Sequence, residues 1–215
     1  MRDLVIVGAG GFARETAAAA NGWRVLGFLD DNPALRGASR SGRPILGGVD
    51  SVADWPEAAV VVCVGNPRDY TARQRIVQRL DLPVDRYATV VHPAAEIGAG
   101  SAVGPGSVLL AGAVLTADVT VGAHVAVMPQ AVLTHDDRVG DFVTIASGVR
   151  LGGGVALDRG AYLGAGALVR EGVTVGAWSL VGMGSVVVRD VPPDEVWAGV
   201  PARFLRSAEL EESTS

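Results

Sequence analysis

The chain has 215 residues, a net charge of −5 and a single cysteine. It has no run of Lys or Arg, so nucleic acids and anionic membranes are poor candidate partners. One cysteine excludes a disulfide framework, and we expect Cys63, in the apolar run Val60–Val64, to be a buried thiol. Met1–Val7 is too short for a signal peptide, and no apolar stretch approaches the roughly 20 residues that span a bilayer. The composition therefore predicts a cytoplasmic protein with one large or two small domains.

The first 90 residues alternate short apolar segments with segments of helical spacing, which is typical of half a doubly wound nucleotide fold. We therefore expect a small Rossmann-like parallel sheet over residues 1–90. The predicted strands are Leu4–Val7, Arg24–Leu29 and Ala59–Val64; the predicted helices are Phe12–Ala20 and Tyr70–Leu80, with a loop at Arg43–Gly47 and a helical turn at Ser51–Trp55.

A glycine loop, Gly8-Ala9-Gly10-Gly11, joins the first strand to the first helix. In this context the loop favours pyrophosphate binding at a helix N-terminus, and Asp30, at the end of the second strand, is placed to hold a ribose or a base. An NAD site is a weaker interpretation, because 90 residues supply only one mononucleotide-binding half. A sugar nucleotide uses the same parts, and glycines kept only for a tight turn remain an alternative.

From Ile97 to Val187 an aliphatic residue occupies every sixth position without a miss or an insertion. A fixed short period of this kind indicates a solenoid, here a parallel β-helix of triangular section with three hexapeptides per coil. Glycine follows many of these aliphatics, for example at Gly98, and we attribute this to sharp corners. The fourth residue after each aliphatic is small or β-branched except at Asp137. A carboxylate at a filler position invites a functional explanation.

The three histidines have different surroundings in the sequence. We expect His92, before Pro93, to be structural or capping, and His124 to be a solvated turn residue. His135 lies beside Asp136 and Asp137 in the most charged interruption of the repeat. A neutral imidazole oriented by a carboxylate is a general base near pH 7. Gly153, which is 18 residues further on, is expected to lie beside His135 on the next coil and to offer a main-chain N–H as an oxyanion donor.

The whole pattern resembles the left-handed β-helix (hexapeptide) acyltransferases that carry an N-terminal Rossmann-like domain. This group includes the bacillosamine-pathway UDP-4-amino-sugar N-acetyltransferases, the perosamine N-acetyltransferases and the sialic acid O-acetyltransferases. The motifs that carry the resemblance, in chain order, are Val7-Gly8-Ala9-Gly10-Gly11-Phe12, Phe28-Leu29-Asp30-Asp31-Asn32, Val64-Gly65-Asn66, His92-Pro93, His135-Asp136 and Gly199-Val200-Pro201-Ala202-Arg203.

The resemblance implies a left-handed β-helix over residues 91–206, followed by a flexible tail at 207–215. It also implies a homotrimer with acetyl-CoA between subunits, no metal, and His135 as general base with Asp136 as its orienting neighbour. The implied acetyl-CoA contacts are Thr144, Gly153, Ala165, Met183 and Arg203, with Arg189 as a further candidate for the CoA phosphates. The implied nucleotide-sugar contacts are Gly10, Gly11, Phe12, Asp30, Asp31, Gly65 and Asn66.

The expected activity is acetyl-CoA-dependent N-acetylation of a nucleotide-linked amino sugar. Two departures from the family pattern leave the acceptor open: Met128 stands where relatives often have Asn, and Thr144 replaces another polar residue. O-acetylation of sialic acid or another sugar is the alternative reaction. From other classes, we considered a non-catalytic trimeric nucleotide-binding scaffold, which the His135–Asp136 pair argues against. A γ-carbonic-anhydrase-like metalloenzyme is disfavoured because the three histidines are badly spaced.

Overall fold

The structure is a computed structural model that describes residues 1–209, and it contains a small α/β sheet followed by a β-helix. The N-terminal sheet has five strands in the order β3-β4-β2-β1-β5. Its strands are β1 (Arg2–Val7), β2 (Trp23–Leu29), β3 (Ser39–Arg40), β4 (Arg43–Gly47) and β5 (Ala59–Val62). The helices are α1 (Gly11–Ala19) and α2 (Ala72–Leu80), with 3₁₀ turns at Pro33–Leu35, Val49–Asp54 and Val84–Arg86.

The edge of this sheet differs from the prediction in two respects. Segment Arg43–Gly47, expected to be a loop, is a strand that pairs in parallel with β2, Phe28 lying opposite Ile45. β3 then pairs antiparallel with β4, so the sheet is mixed and not purely parallel. Ile45 is buried in the same core as Phe28, and this apolar anchor keeps a segment flanked by Gly and Pro in the sheet.

The repeat folds into short strands at regular spacing, followed by a C-terminal hairpin. The strands are β6 (Val90–Val91), β7 (Glu96–Ile97), β8 (Ala102–Val103), β9 (Val108–Leu109), β10 (Val114–Leu115), β11 (Thr120–Val121), β12 (Ala126–Val127), β13 (Val132–Leu133), β14 (Arg138–Val139), β15 (Thr144–Ile145), β16 (Arg150–Leu151), β17 (Ala156–Leu157), β18 (Tyr162–Leu163), β19 (Leu168–Val169), β20 (Thr174–Val175), β21 (Leu180–Val181), β22 (Val186–Val187), β23 (Glu195–Gly199) and β24 (Ala202–Ser207).

These strands form the three faces of a left-handed triangular prism, as expected. Each strand from β6 to β19 pairs in parallel with the strand three places later in the chain; for example, Val114 lies opposite Val132. The first face contains β6, β9, β12, β15, β18, β21, β23 and β24; the second contains β7, β10, β13, β16, β19 and β22; the third contains β8, β11, β14, β17 and β20. The repeating aliphatics from Leu109 to Val187 fill one continuous core, whereas Ile97 is 43% exposed.

Glycines serve two separate purposes in the coils. The glycine after an aliphatic is required by close stacking: a Cβ on Gly98 would lie 1.5 Å from the carbonyl oxygen of Thr116 on the next coil. The corner itself falls two residues later, where Gly100 has a φ of +73°. Our attribution of the first set to corner geometry was therefore wrong, because those glycines are selected by the neighbouring coil.

The N-terminal sheet packs on the first face of the prism. Val90, Val108 and Leu110 belong to the same apolar cluster as Leu4 and Phe28 of the sheet. The transition occurs near residue 90, since Val90–Val91 already pairs with β9. At the other end, β24 continues through Ser207, and the Ala208 amide donates to the carbonyl of Asp194 at 2.8 Å. The rest of the predicted tail, from residue 210, lies outside the described residues. No helix within residues 1–209 is long and apolar enough to cross a membrane.

His124 is not the solvated residue that its turn position predicted. It lies on the edge between the third and first faces, where its ring stacks on Phe142 at 5.1 Å and meets the edge of Tyr87 at 4.6 Å. The residue is only 6% exposed, and its Nδ1 has no hydrogen-bond partner among the described residues. Burial, together with the positive charge of Arg73, lowers the pKa of His124 to about 4.

We expect His124 to make folding sensitive to acid. A neutral histidine with a folded pKa near 4 and an unfolded pKa of 6.5 contributes stability above pH 6.5 that is lost as pH falls toward 4. The variant His124→Phe, which keeps the stacking, should match wild type at pH 7.5 and exceed it by about 2–3 kcal/mol near pH 4. Urea unfolding of both proteins across this pH range measures the difference, and a constant difference would contradict the assignment.

Candidate active site

The glycine loop is tightly packed at Gly8 and open at Gly10 and Gly11, where an added Cβ would meet nothing within 4 Å. Gly8 has a φ of +99°, and a Cβ there would lie 2.8 Å from the carbonyl oxygen of Cys63, so no larger residue fits. The two oxygens of Asp30 accept hydrogen bonds from the amides of Ala9 and Asn32, both at 2.9 Å. The Asp30 carboxylate therefore holds the glycine loop in place through the Ala9 amide. Gly10, Gly11, Phe12, Asp30 and Gly65 line one cavity, as the nucleotide-site prediction requires.

Asp31 and Asn66, which were also predicted to contact the nucleotide, do not line this cavity. Asp31 accepts a hydrogen bond from the amide of Val49 at 2.8 Å and pairs with Arg79 of α2 at 2.7 Å. These contacts lower the pKa of the Asp31 carboxyl, the Val49 hydrogen bond being the largest cause. The side-chain oxygen of Asn66 accepts from the amide of Arg68. Both side chains thus stabilise the loops that follow β2 and β5.

A second cavity lies between the N-terminal domain and the first face of the prism. It shares Phe12 and Gly65 with the glycine-loop cavity, so the two cavities are neighbours. The prism contributes its outward-facing side chains, and the wall is largely apolar. The lining residues from the prism are Ala126, Met128, Thr144, Ala146, Ser147, Tyr162 and Ala165.

Arg73 of α2 joins the two domains beside this cavity, and sequence reasoning missed it. Its guanidinium donates to the carbonyl oxygens of Val64 and Phe142 and to the Thr144 hydroxyl, at 3.3, 2.8 and 2.8 Å. It is 2% exposed and has no carboxylate partner within residues 1–209, and burial lowers its pKa to about 10. The signal was its spacing: Arg73 lies at helical spacing from Ile76, Val77 and Leu80, which are partly buried against the sheet core.

We expect Arg73→Ala to lower the free energy of unfolding by about 2–4 kcal/mol, because it leaves buried carbonyl groups without a donor. Arg79→Ala on the same helix is the matched control. Arg79 is 43% exposed and pairs with Asp31 and Asp50, and exposed ion pairs contribute at most about 1 kcal/mol. Chemical denaturation of the two variants compares the effects directly. Equal losses would show that Arg73 does not hold the domains together.

His135 lies on the edge between the second and third faces, in the turn between β13 and β14. Its Nδ1 is 2.7 Å from Oδ2 of Asp136, and both side chains are exposed. This hydrogen bond and the charge of Asp136 raise the pKa of His135. A Nδ1–H held by a carboxylate leaves Nε2 as the free basic nitrogen. The geometry predicted for the pair is therefore present.

Gly153 lies against the His135 ring on the next coil, as the spacing of 18 residues predicted. A Cβ on Gly153 would be 2.4 Å from both Cε1 and Nε2 of the imidazole, so only glycine leaves the ring undisturbed. The amide of Gly154 donates to the His135 carbonyl at 2.9 Å, while the Gly153 N–H has no acceptor within the described residues. A base and an unpaired N–H thus lie side by side.

Asp137 is fully buried below this turn. Its two oxygens accept hydrogen bonds from the amides of Thr134 and Val155, both at 2.8 Å. Burial raises the pKa of Asp137 to about 6 in spite of these bonds. The side chain does not reach solvent, so it cannot itself exchange protons with a substrate.

The remaining predicted cofactor contacts are distributed along the first face and its edge. Thr144 is buried and its hydroxyl is engaged by Arg73, whereas Ala165 lines the cavity. Met183 lies one coil beyond Ala165 and is 81% exposed. The Arg203 guanidinium donates to the carbonyl of Ala202, and that of Arg189 lies 4.9 Å from the Trp197 ring centre.

His92 caps a turn, as predicted: its Nδ1 accepts from the amide of Ala94 at 2.9 Å. Cys63 is buried, and desolvation raises the pKa of its thiol to about 12. Across residues 1–209 there is no group of three or more His, Cys, Asp or Glu side chains arranged to hold a metal ion.

The two halves of the site lie at different edges of the prism. Met128, Ser147 and Ala165 of the second cavity lie in turns between the first and second faces, whereas His135 lies on the edge between the second and third faces. Strand geometry puts the width of such a prism at roughly 15 Å. The His135 of one chain therefore cannot reach the cavity that its own glycine loop helps to form.

Comparisons with known proteins agree with this architecture. Residues 3–80 match the PglD N-terminal domain family. The acetyltransferase domain of PglB from Neisseria gonorrhoeae is 31% identical, with a TM-score of 0.84 over 95% of this chain and 100% of that one. A histidine variant of GDP-perosamine N-acetyl transferase from Caulobacter crescentus, in complex with CoA and GDP-perosamine, is 28% identical, with a TM-score of 0.85 over 96% and 98% of the two chains. WeeI from Acinetobacter baumannii is 25% identical, with a TM-score of 0.81 over 95% and 100%. A search of curated protein sequences found no match.

A left-handed hexapeptide β-helix behind a glycine-loop domain defines a class of acyltransferases. At 31% identity over nearly the whole chain, the protein belongs to the PglD/PerB family of sugar acetyltransferases and is an acetyltransferase.

Proposed function

We propose that the protein transfers an acetyl group from acetyl-CoA to the amine of a nucleotide-linked amino sugar. The single observation that carries this proposal is the contact between His135, held by Asp136 at 2.7 Å, and Gly153 on the next coil. Related structures support the choice of substrates: the PglB domain has been solved with acetyl-CoA, and the perosamine enzyme with CoA and GDP-perosamine.

The nucleotide is proposed to bind in the glycine-loop cavity. There, main-chain N–H groups of Gly10 and Gly11 at the start of α1 are available to a pyrophosphate. Phe12 and Gly65, which border both cavities, would then direct the sugar toward the first face. Asp30 supports the loop through Ala9 and leaves the ribose and base to the rim near Asp31 and Asn66.

The proposed chemistry is direct attack on the thioester. His135 Nε2 removes a proton from the acceptor amine as its nitrogen bonds to the acetyl carbonyl carbon. The carbonyl oxygen gains negative charge, which the Gly153 N–H stabilises. The C–S bond then breaks, and the CoA thiolate takes the proton and leaves as the thiol. Ala165, Met183 and Arg203 are proposed to lie along the bound cofactor, with Thr144 contributing to the cavity wall.

We propose a homotrimer, because the separation of roughly 15 Å between base and cavity requires His135 from a second chain. The second face supports association, since its outward aliphatics Val114, Val132 and Val186 are partly exposed and Leu168 is 45% exposed. Pairing of two different faces can close into a ring, and three copies is the number that the family resemblance implies. Each site would then take its glycine loop from one chain and its base from a neighbour.

A thiol-release assay with acetyl-CoA tests the proposal against UDP-, GDP- and dTDP-linked amino sugars, with CMP-sialic acid and free sialic acid as further acceptors. Turnover of one nucleotide-linked amino sugar supports N-acetylation and identifies the nucleotide. Turnover of sialic acid alone would overturn the acceptor assignment in favour of O-acetylation. No turnover and no acetyl-CoA binding by calorimetry would overturn the proposal.

A further inference from the structure

The regular pairing between coils is interrupted once in the repeat, beside His135. Elsewhere in the coils, the amide after each inward aliphatic donates to the aliphatic carbonyl one coil on; Thr116, for example, donates to Leu133 at 3.1 Å. Thr134 does not follow this pattern. Its amide donates to the Asp137 carboxylate, and its hydroxyl donates to the Leu151 carbonyl oxygen at 3.1 Å. β13 and β16 accordingly pair at one position only, Val132 opposite Arg150.

The residue responsible is Asp137, which connects two consecutive turns. One oxygen accepts a hydrogen bond from the amide of Thr134, immediately before His135. The other accepts from the amide of Val155, two residues after Gly153. Ser101 occupies the same place two coils earlier on the same edge, and its hydroxyl accepts from the Val119 amide at 3.1 Å. A serine is therefore enough to connect adjacent coils. The second carboxylate oxygen, which serine lacks, accepts the Thr134 amide, and the Thr134 hydroxyl donates to the Leu151 carbonyl in place of that amide.

We infer that Asp137 is a positioning residue, which together with Thr134 sets the distance between His135 and the N–H of Gly153. The inference rests on the proposed function, because it assigns a purpose to the spacing of the proposed base and oxyanion donor. Restoring the regular Thr134–Leu151 bond would move the His135 turn relative to Gly153. A displacement of about 1 Å in an active site can cost on the order of 10²-fold in rate.

The electrostatics of the buried side chain support the same inference, because ionisation of Asp137 costs the fold stability. Its carboxyl is fully buried, with two amide donors and, within residues 1–209, no cation in hydrogen-bond contact. Burial of this kind disfavours the charged form, so the ionised side chain destabilises the folded protein above its raised pKa. A serine at this position would avoid that cost and still bind Val155, as Ser101 binds Val119.

The test compares Asp137→Ser with Ser101→Ala, the matched control at the same repeat position. For Asp137→Ser we expect kcat to fall about tenfold or more, KM for acetyl-CoA and acceptor to stay within about twofold, and Tm at pH 8 to rise or stay unchanged. For Ser101→Ala, kcat should equal that of wild type. A purely structural Asp137 would give the opposite: a lower Tm at pH 8 and an unchanged kcat per folded protein.

Thr134→Val provides a second test should Asp137→Ser fail to fold. It removes the hydroxyl that occupies the Leu151 carbonyl, so the Thr134 amide can return to the regular pairing, and kcat should fall with KM unchanged. Wild-type activity in Thr134→Val, or in Asp137→Ser, would overturn the inference. If wild type itself acetylates none of the acceptors, the proposed function has failed, which is a distinguishable result.

Discussion

His135→Ala is expected to lower kcat by about 10²–10⁴-fold, the usual contribution of a positioned general base. The side chain is 68% exposed and supports no other part of the fold, so Tm and the dissociation constant for acetyl-CoA should stay close to those of wild type. His92→Asn is the matched control, since an asparagine oxygen can still accept from the Ala94 amide. Steady-state kinetics and calorimetry measure the two effects, and activity in His135→Ala within threefold of wild type would exclude it as the base.

The pH profile gives a second measurement on the same pair. A base works in its neutral form, so the rate should fall as pH decreases through the pKa of His135, which Asp136 raises. In Asp136→Asn the negative charge that raises the pKa of His135 is lost. The acid limb of the pH–rate profile should therefore move to lower pH, while the maximal rate falls. If the acid limb of Asp136→Asn lies at the same pH as that of wild type, the titrating group is not the His135–Asp136 pair.

Gly153→Ala is expected to lower kcat by about 10²-fold because the new methyl group displaces the base. The added Cβ would lie 2.4 Å from the imidazole, and the ring, which is exposed, can move away without unfolding the coil. Stability should therefore change little. The effect should disappear in the double variant with His135→Ala, where no ring remains to be displaced.

Gly154→Asn is the matched control for this substitution. Gly154 has a φ of +70° and open space around it, and Asp136 adopts a φ of +65° at the same corner one coil earlier. Asparagine tolerates that conformation. Activity comparable to wild type in Gly154→Asn, with a large loss in Gly153→Ala, assigns the effect to the ring contact. Equal losses would assign it to general disturbance of the turn.

The prism was predictable because its pairing is determined by counting. A period of six with three segments per coil places every residue opposite the one 18 positions later, so the contact between His135 and Gly153 followed without knowledge of the surroundings. The anomaly at Asp137 was also visible as a carboxylate in a filler position. The roles assigned to these residues stay predictions.

The errors arose where a residue contacts a segment that is distant from it in the sequence. The repeat shows that His124 lies at a corner, but not which of three edges is covered by the N-terminal domain, so its burial against Tyr87 could not be derived. Arg73 was missed because an arginine on a helix is ordinarily solvated, and its acceptors belong to a distant part of the chain. In Arg43–Gly47 the local Gly and Pro signals were overridden by pairing with β2.

The length of the repeat before a residue determines the edge of the prism at which that residue lies. The chain advances one face for every six residues, so the number of hexapeptides between Val90, where the prism begins, and His135 decides on which edge the histidine emerges. Insertion of a whole coil would lengthen the protein and keep every edge in place. Insertion of one hexapeptide would rotate all later residues by about a third of a turn, bringing the histidine to an edge of the face that carries its own glycine loop. Length variation in such enzymes should therefore come in units of complete coils.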